Sequence, residues 1–315
     1  MERVKITDNS TKFARSEYNR EPRLMNQLLR KVRNYEIRIR KAITSQMQGD
    51  FRSIFKGSGL EFDDVRPYQY GDDIRTIHWN VTAKGHGTYI KTYREEKEQT
   101  IYFLIDLSAS QQIGEPGKQK RDILQEICGV LCIAGAKESS HIGLIGFTDH
   151  RELFIRPAKG MAQAYQIISR LENHQPGSKG TSLTSGLSFA LNAIHRRSVV
   201  VVLSDFIDQG YEQHLKALAR RHDLVAIHVT DRRETNLPGL GIVPVQDAET
   251  GKTIWINTSF GDFRNQLSLS HQERQQRLKS LCSKNQINYL NVPTDQDFVP
   301  LLLRLFKTRN RSLKK

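Results

Sequence analysis

From Gln99 onward, short apolar runs alternate with amphipathic segments, and this alternation restricts the fold more than any other feature of the sequence. The runs are almost continuously apolar, as in strands buried on both faces of a parallel sheet, and they cover Thr100–Ile105, Ser198–Leu203, Leu224–Val229 and Ile287–Val292. The intervening segments carry apolar residues at helical spacing, and they cover Asp122–Ala136, Met161–Leu171, Leu183–Ile194, Tyr211–Arg220 and Asp297–Phe306. Such alternation with short connections predicts an α/β fold with a doubly wound, mostly parallel, Rossmann-type sheet.

Two pairs of β-like runs depart from this alternation. Ile142–Phe147 and Glu152–Ile155 are separated only by Thr148–Arg151, a connection too short for a helical crossover. The pair therefore predicts one antiparallel edge strand. A second pair, between Leu240 and Asn257, flanks Glu249-Thr250-Gly251-Lys252, which is typical of a turn and predicts a hairpin insertion at about residues 240–257.

The first third of the chain has a different character. An apolar stripe at helical spacing predicts an N-terminal helix, and it consists of Met25, Leu28, Leu29, Val32, Tyr35, Ile39 and Ile43. Glycines between Phe51 and Glu98 punctuate short segments, which predict turns and short strands. We therefore divide the chain into a disordered N-terminus (1–22), an N-terminal helix with a small β-rich segment (23–98), the α/β domain (99–310) and a basic tail (311–315).

Composition and net charge indicate the class of partner, the cellular location and the state of the cysteines that we expect. The 315 residues carry a net charge of +14, which favours an acidic partner: an acidic protein, a nucleic acid or an anionic lipid surface. No apolar run approaches the roughly 18 residues that span a bilayer, and the polar N-terminus shows no signal-peptide core. We therefore expect a cytoplasmic protein, with peripheral contact to the inner membrane left open. Three cysteines do not make a disulfide framework, so buried thiols are the simplest interpretation.

Carboxylate and hydroxyl side chains follow the predicted strands, at the edge of the sheet where ligands bind. Asp106, Ser108 and Ser110 come directly after the first apolar run, Asp205 follows another, and Thr181 lies in a loop before a helix. Oxygen ligands without imidazole or thiolate suit Mg²⁺ or Mn²⁺. We expect Ser108 and Ser110 to bind the metal directly and Thr181 to bind it directly or through water. The two aspartates would supply charge, partly through bound waters.

Four alternatives to a metal-binding site can be weighed from the sequence. The serines could cap the following helix while the aspartates accept backbone N–H groups. Nucleotide hydrolysis is disfavoured because Gly114–Lys118 lacks the first glycine of a phosphate-binding loop and Gln119 replaces its Ser or Thr. Serine hydrolysis is disfavoured because no G-x-S-x-G motif surrounds Ser108 or Ser110. Nucleic-acid binding rests on charge alone, since the sequence has no RNP or zinc-finger pattern.

Charged and aromatic residues lie close together between Glu61 and Trp79. A docking surface is one interpretation, because Tyr, Trp and Arg are enriched in interface hot spots, and it would comprise Arg66, Tyr68, Asp72, Asp73, Arg75 and Trp79. The other interpretation is an ion-paired network of the four charges that fastens this segment to the sheet. We favour the second, because buried charges persist only when they are paired.

Several motifs also carry a resemblance to a known family. They are Gly57-Ser58-Gly59-Leu60-Glu61-Phe62, Val65-Arg66, Tyr68, Gly71-Asp72-Asp73-Ile74-Arg75, Trp79-Asn80, Lys91, Arg94-Glu95-Glu96, Asp106-Leu107-Ser108-Ala109-Ser110, Leu237-Pro238 and Glu249-Thr250-Gly251. From about Leu24 onward the chain resembles the bacterial family called domain of unknown function 58, whose C-terminal part looks like a von Willebrand factor A domain. It departs from the family at His78, where an acidic residue is expected before the tryptophan.

The resemblance implies a von Willebrand factor A-like fold with a Mg²⁺-type metal-ion-dependent adhesion site. It also implies association with MoxR-type AAA+ ATPases and no established enzymatic activity. We therefore predict a non-enzymatic, metal-dependent protein-binding module whose metal binds an acidic residue of a protein partner. The alternatives are a basic protein that binds nucleic acid or a membrane surface and, after it, a metal-dependent hydrolase.

Overall fold

A computed structural model of the chain describes residues 33, 34, 37, 60–85, 87–95, 99–115, 117–234, 241–246, 253–258 and 261–313. In these ranges the strands are β1 (Leu60–Pro67), β2 (Tyr89–Glu95), β3 (Thr100–Asp106), β4 (Gly114–Glu115), β5 (Lys118–Gln119), β6 (His141–Phe147), β7 (Arg151–Ala158), β8 (Val199–Ser204), β9 (Asp223–Thr230), β10 (Ile242–Gln246), β11 (Thr253–Asn257) and β12 (Asn288–Pro293). The helices are α1 (Trp79–Thr82), α2 (Lys120–Lys137), α3 (Met161–Asn173), α4 (Leu183–Ala193), α5 (Glu212–Arg221), α6 (Gly261–Lys284) and α7 (Phe298–Leu313).

Six of the described strands form the central sheet, in the spatial order β12-β9-β8-β3-β6-β7. β7 pairs antiparallel with β6 at one edge, whereas the other neighbouring strands pair in parallel. The chain runs outward from β3 to β7, returns to β8 on the other side of β3, and continues outward to β12. This order is that of a doubly wound sheet. The predicted α/β class, with a mostly parallel sheet and one antiparallel edge strand, is therefore confirmed.

Helices cover both faces of this sheet. α2, α3 and α7 pack on one face against Ile101, Phe103 and Ile105 of β3. α4, α5 and α6 pack on the other face against Tyr102 and Leu104 of the same strand. β8 is buried along its whole length, which is why its sequence is a continuous apolar run. Each fully buried aliphatic or aromatic side chain contributes about 1.5–3 kcal/mol to the free energy of folding, compared with an exposed one. Burial on both faces therefore holds the strands, and the loops that follow their ends, in fixed positions.

Close packing at Gly186 sets the position of α4. A Cβ atom on this glycine would lie 2.6 Å from Cγ of Phe147, far inside the roughly 3.5–4.0 Å at which carbon atoms normally meet. Phe147 is fully buried at the end of β6. Because Gly186 has no side chain, α4 and the loop before it lie close to the carboxyl end of the sheet.

One long helix is not predicted from the sequence. Half of the residues of α6 are charged or carry an amide, and the described residues found buried on it are Leu278 and Cys282. So few apolar positions give no helical stripe, because the pattern that reveals an amphipathic helix is its buried face. At the C-terminus, α7 extends through Leu313, so Arg311–Leu313 of the predicted basic tail continue the helix.

The predicted N-terminal regions fall mostly outside the described residues. Arg33, Asn34 and Ile37 are helical and exposed, whereas the remainder of the predicted N-terminal helix, the predicted disordered residues 1–22 and the hairpin turn at 249–252 lie outside the described ranges. β1 pairs antiparallel with β2, and β10 with β11, as the predicted β-rich segment and hairpin require. All three cysteines are buried free thiols, as expected. Among the described residues, no helix is both long and apolar enough to cross a membrane.

Candidate functional site

The carboxyl ends of β3 and β8 meet at the centre of the sheet, where the chain reverses its direction of winding. The two strands are neighbours, with Ile105 opposite Leu203. Asp106 ends β3, and Asp205 directly follows β8. Ligands of doubly wound sheets bind in the crevice at this switch point. Each aspartate thus follows a strand at the ligand-binding edge of the sheet, as the sequence predicts, and the structure shows that the two strands are neighbours.

Asp106 is a buried carboxylate held by three donors. Its Oδ1 accepts the N–H of Ser108 at 3.0 Å, and its Oδ2 accepts the hydroxyl of Ser204 at 2.8 Å and the side-chain amide of Gln111 at 3.1 Å. Its side chain is only 1% exposed. Burial, followed by the negative charge of Asp205, raises the pKa of Asp106 to about 7. A positive charge nearby would favour its ionised form.

Ser108 and Ser110 place their hydroxyl groups side by side, with 2.9 Å between the two Oγ atoms. Ser108 lies at the N-terminus of a 3-10 turn over Ala109–Gln112, but its hydroxyl makes no capping bond. The Ser110 hydroxyl also accepts the Gln111 amide at 3.3 Å. The capping alternative therefore holds in part: the Asp106 carboxylate accepts a backbone N–H, whereas Ser108 does not cap the turn.

The loop before α4, which contains Lys179 and Ser182, lies against these serines. The Ala109 N–H donates to the Lys179 carbonyl at 3.1 Å, and the Ser182 N–H donates to the Thr148 carbonyl at 3.0 Å. Both bonds hold the segment that contains half-buried Thr181 between the ends of β3 and β6. The structure thus brings Thr181 to the same edge of the sheet as the serine pair.

Asp205 has a buried ammonium group as its partner, which the sequence analysis does not predict. The Nζ atom of Lys120, at the start of α2, lies 2.6 Å from Oδ2 of Asp205. The same Nζ pairs with Glu234, which lies in a 3-10 turn after β9. Lys120 has no exposed surface and Asp205 is 2% exposed. The other oxygen of Asp205 accepts the Ile207 N–H at 3.2 Å.

Electrostatics keep this buried pair ionised. Burial opposes the charged form of Lys120, yet the attraction of Asp205 and Glu234 leaves its pKa raised. Burial likewise opposes the charged form of Asp205, but the Lys120 charge holds its pKa below the usual value. A lysine at a helix start normally points into solvent, so no sequence signal marks Lys120 as a site residue.

Gln111 is the second site residue that the sequence analysis misses. It is fully buried, and its amide N–H₂ bridges Asp106 and Ser110. Its Oε1 atom has no hydrogen-bond partner among the described residues. Gln111 therefore ties Asp106 to Ser110 through its amide nitrogen, while its carbonyl oxygen stays buried without a described partner.

The donor chemistry fits a Mg²⁺-type ion. Each carboxylate oxygen of Asp106 and Asp205 already accepts at least one protein donor. The hydroxyls of Ser108, Ser110 and Thr181 would be the remaining oxygen donors for an ion. In the described part of the chain, no group of three or more His, Cys, Asp or Glu side chains could hold a metal by itself. A site here would therefore depend on hydroxyl oxygens and water, as Mg²⁺ sites with few carboxylates do.

The charged segment before α1 does not form the ion-paired network that the sequence analysis favours. Of its four charges, only Arg66 and Asp72 pair with each other, through two hydrogen bonds of 2.7 and 2.8 Å. The bond to Arg66 is the main reason that the pKa of Asp72 is lowered. Asp73 instead accepts the Arg75 N–H and caps a 3-10 turn. Both Asp73 and Arg75 are exposed. The expected buried network of four charges is therefore wrong, because this loop keeps most of its charges in solvent.

Aromatic side chains next to these charges are also exposed. Tyr70 is fully exposed, Trp79 is 69% exposed, and Tyr68 and Ile74 are exposed beside them. Large apolar side chains that stay in water do not contribute the free energy that burial would give. Exposed side chains of this kind are typical of surfaces that bind partners. These side chains are thus accessible at the surface, as a docking surface would require.

The fold and site define a doubly wound α/β protein with a cluster of hydroxyl and buried carboxylate groups at its switch point. The chain belongs to the family described as "Protein of unknown function DUF58", whose sequence model matches residues 64–277. The uncharacterized protein Rv1480 of Mycobacterium tuberculosis is 25% identical over 287 residues, which cover 89% of each chain.

Solved structures with a similar fold include two distant neighbours. An aerotolerance-related membrane protein of Bacteroides fragilis has a TM-score of 0.46 and 14% identity, and the match covers 68% of this chain and 99% of that protein. The SpRpn10 VWA domain has a TM-score of 0.36 and 12% identity, with 67% and 94% of the two chains covered.

Proposed function

We propose that this protein is a non-enzymatic, metal-dependent protein-binding module that holds Mg²⁺ or Mn²⁺ at the switch point. Ser108 and Ser110 would bind the ion directly, Thr181 directly or through water, and Asp106 and Asp205 through water. The observation that carries this proposal is the serine pair, whose hydroxyls converge within 2.9 Å beside two buried carboxylates. A bound ion would supply positive charge for an acidic side chain of a partner.

The hydrogen bonds of the aspartates support this division of roles. Each oxygen of Asp106 accepts at least one protein donor, and Asp205 is held by Lys120 and the Ile207 N–H. Direct ligation by either aspartate would compete with these donors at a buried site, where a lost hydrogen bond costs about 1–3 kcal/mol. Hydroxyl ligation keeps these bonds, so the ion retains more of its charge for an external anion.

The contacts of the serines argue against a nucleophilic role. Ser108 and Ser110 contact each other and Gln111, and no described imidazole hydrogen-bonds to either hydroxyl. A serine nucleophile needs an adjacent base within hydrogen-bond reach. The buried cation, Lys120, is committed to two carboxylates. This arrangement supports binding over catalysis.

The partner that we propose is a MoxR-type AAA+ ATPase, as the family resemblance implies. A second contact surface would consist of the segment before α1, formed by Arg66, Tyr68, Asp72, Asp73, Arg75 and Trp79. Its support is the exposure of Trp79 and of the neighbouring Tyr70, since exposed aromatic residues with arginine are typical hot-spot material. The net charge of +14 would add long-range attraction to an acidic partner.

Thermal melts with and without Mg²⁺ or Mn²⁺ test the metal site. Saturating Mg²⁺, at about 100 times its dissociation constant, should stabilise the fold by roughly 2.7 kcal/mol, or about 5–10 °C for a domain of this size. Ser108→Ala should remove this gain, whereas Ser169→Ala, a matched change on α3, should retain it. The protein should also capture the ATPase in Mg²⁺ and lose it in EDTA. If metal changes neither the melting temperature nor the capture by wild type, the proposal fails.

A further inference from the structure

A cleft of about 880 Å³ lies beside the site, between the loop after β8 and helices α5 and α6. Asp205 and His228 lie at its inner end. One wall carries Glu212, Lys216 and Arg220 of α5. These residues are spaced four apart, so they lie on one face of that helix. The opposite wall is formed by α6.

Basic side chains line both walls of this cleft. Lys216 and Arg220 lie on α5, and Arg274, Arg277 and Lys284 lie on α6. None of these five forms an ion pair in the part of the chain that the structure describes. By contrast, two of the lining carboxylates are engaged: Asp205 by Lys120, and Asp208 by the Leu183 N–H. The lining therefore has an excess of positive charge, with five basic side chains against the carboxylates of Glu212, Asp208 and Asp205, of which Asp205 is paired with Lys120.

The cleft has the length of a short extended peptide. The distance from Glu212 to Arg220 along α5 is about 12 Å, at a rise of 1.5 Å per residue. An extended chain covers this length with about four residues at 3.3 Å each. Half-buried Leu281 of α6 adds apolar lining between the charges. Gln275 and Asn285 add amide groups that can bond to a peptide backbone.

We propose that this cleft binds an extended, acidic segment of the partner protein, with its carboxylates facing the basic walls. The inference rests on the proposed function in one respect, namely that the bound molecule is a protein. Phe206 and Tyr211, the aromatic lining residues, are 5% and 6% exposed. They offer no face on which nucleic-acid bases stack, and non-specific single-strand binding relies on such stacking.

The test is fluorescence anisotropy with a labelled peptide of about six residues, rich in glutamate, titrated with the full chain in EDTA and in Mg²⁺. We expect saturable binding that weakens with added salt, because exposed charges are screened. Arg274→Glu with Arg277→Glu should weaken binding about tenfold or more, as several surface charge contacts are lost or reversed. The control, Arg196→Glu with Arg197→Glu, makes the same change of net charge outside the cleft and should bind as wild type does.

Three results would overturn the inference. These are an absence of saturable peptide binding, equal weakening by both double variants, or tighter binding of a matched single-stranded DNA that the cleft variant abolishes. Lys216→Glu with Arg220→Glu reverses charge on the other wall, and it keeps the test decisive if the first variant does not fold. Melting shifts with Mg²⁺, measured on the same samples, separate the two proposals. Peptide binding without a Mg²⁺ shift would refute the metal proposal alone, and the converse would refute the cleft alone.

Discussion

Replacement of Lys120 by methionine tests the buried ion pairs at the switch point. Methionine keeps a similar unbranched shape but leaves Asp205 and Glu234, which are both largely buried, without their shared cation. Removing one partner of a buried pair costs about 3–5 kcal/mol. Because this ammonium serves two carboxylates, we expect a loss at the upper end, about 4–5 kcal/mol. That loss corresponds to a fall in melting temperature of about 10–20 °C.

Urea denaturation at neutral pH measures the loss, with the slope checked for an unchanged denatured state. The control is the triple variant Lys120→Met, Asp205→Asn, Glu234→Gln, which removes all three charges. It should recover much of the stability, because replacing both partners of a buried pair is often nearly neutral. If Lys120→Met lies within about 1 kcal/mol of wild type, the ammonium is not the group that compensates these carboxylates, and our account of the site's electrostatics is wrong.

Two further predictions concern packing and pH. Gly186→Ala should destabilise the protein by about 1–3 kcal/mol, because its new Cβ would overpack the ring of Phe147. Urea melts should show partial recovery with added Phe147→Leu, and wild-type stability of the single variant would contradict the packing account. His222 is buried with both ring nitrogens lacking a hydrogen-bond partner among the described residues, and burial, followed by Arg221 and Arg197, lowers its pKa. The unfolded chain therefore binds a proton near pH 6.5 that the folded chain does not, so stability should fall as the pH drops from about 7.5 to 5.5, and less so in His222→Phe. Equal losses in both proteins would show that His222 is protonated in the fold.

The α/β fold could be predicted because its signals are local in the sequence. Val199–Leu203 is a continuous run of β-branched and aliphatic residues, as is typical of a strand buried on both faces of a parallel sheet. The antiparallel edge strand followed from the short Thr148–Arg151 connection. The docking interpretation of the Arg66–Trp79 segment was harder to judge, because charge and aromatic content are the same whether a loop is covered or exposed.

The candidate site was predicted in part. Asp106, Ser108 and Ser110 lie at alternate positions of one short segment, so the end of a single strand places all three close together. Asp205 could be added to the predicted site because the carboxyl ends of parallel strands lie at the same edge of a sheet. Thr181 depended on the loop before α4, whose depth is set by the contact of Gly186 with Phe147.

By itself, the sequence determined the strands, most of the helices, their doubly wound arrangement, and the carboxylates and hydroxyls that follow the strand ends. Only the tertiary structure decided that Lys120 is buried between Asp205 and Glu234, that Gln111 keeps an unpartnered oxygen, and that α5 and α6 enclose a basic cleft. Apolar periodicity reports which face of an element is buried, because burial of apolar groups drives folding. Polar side chains leave no such pattern: whether a lysine meets solvent or a carboxylate depends on chain segments far away in sequence, and these meet only when the fold is complete.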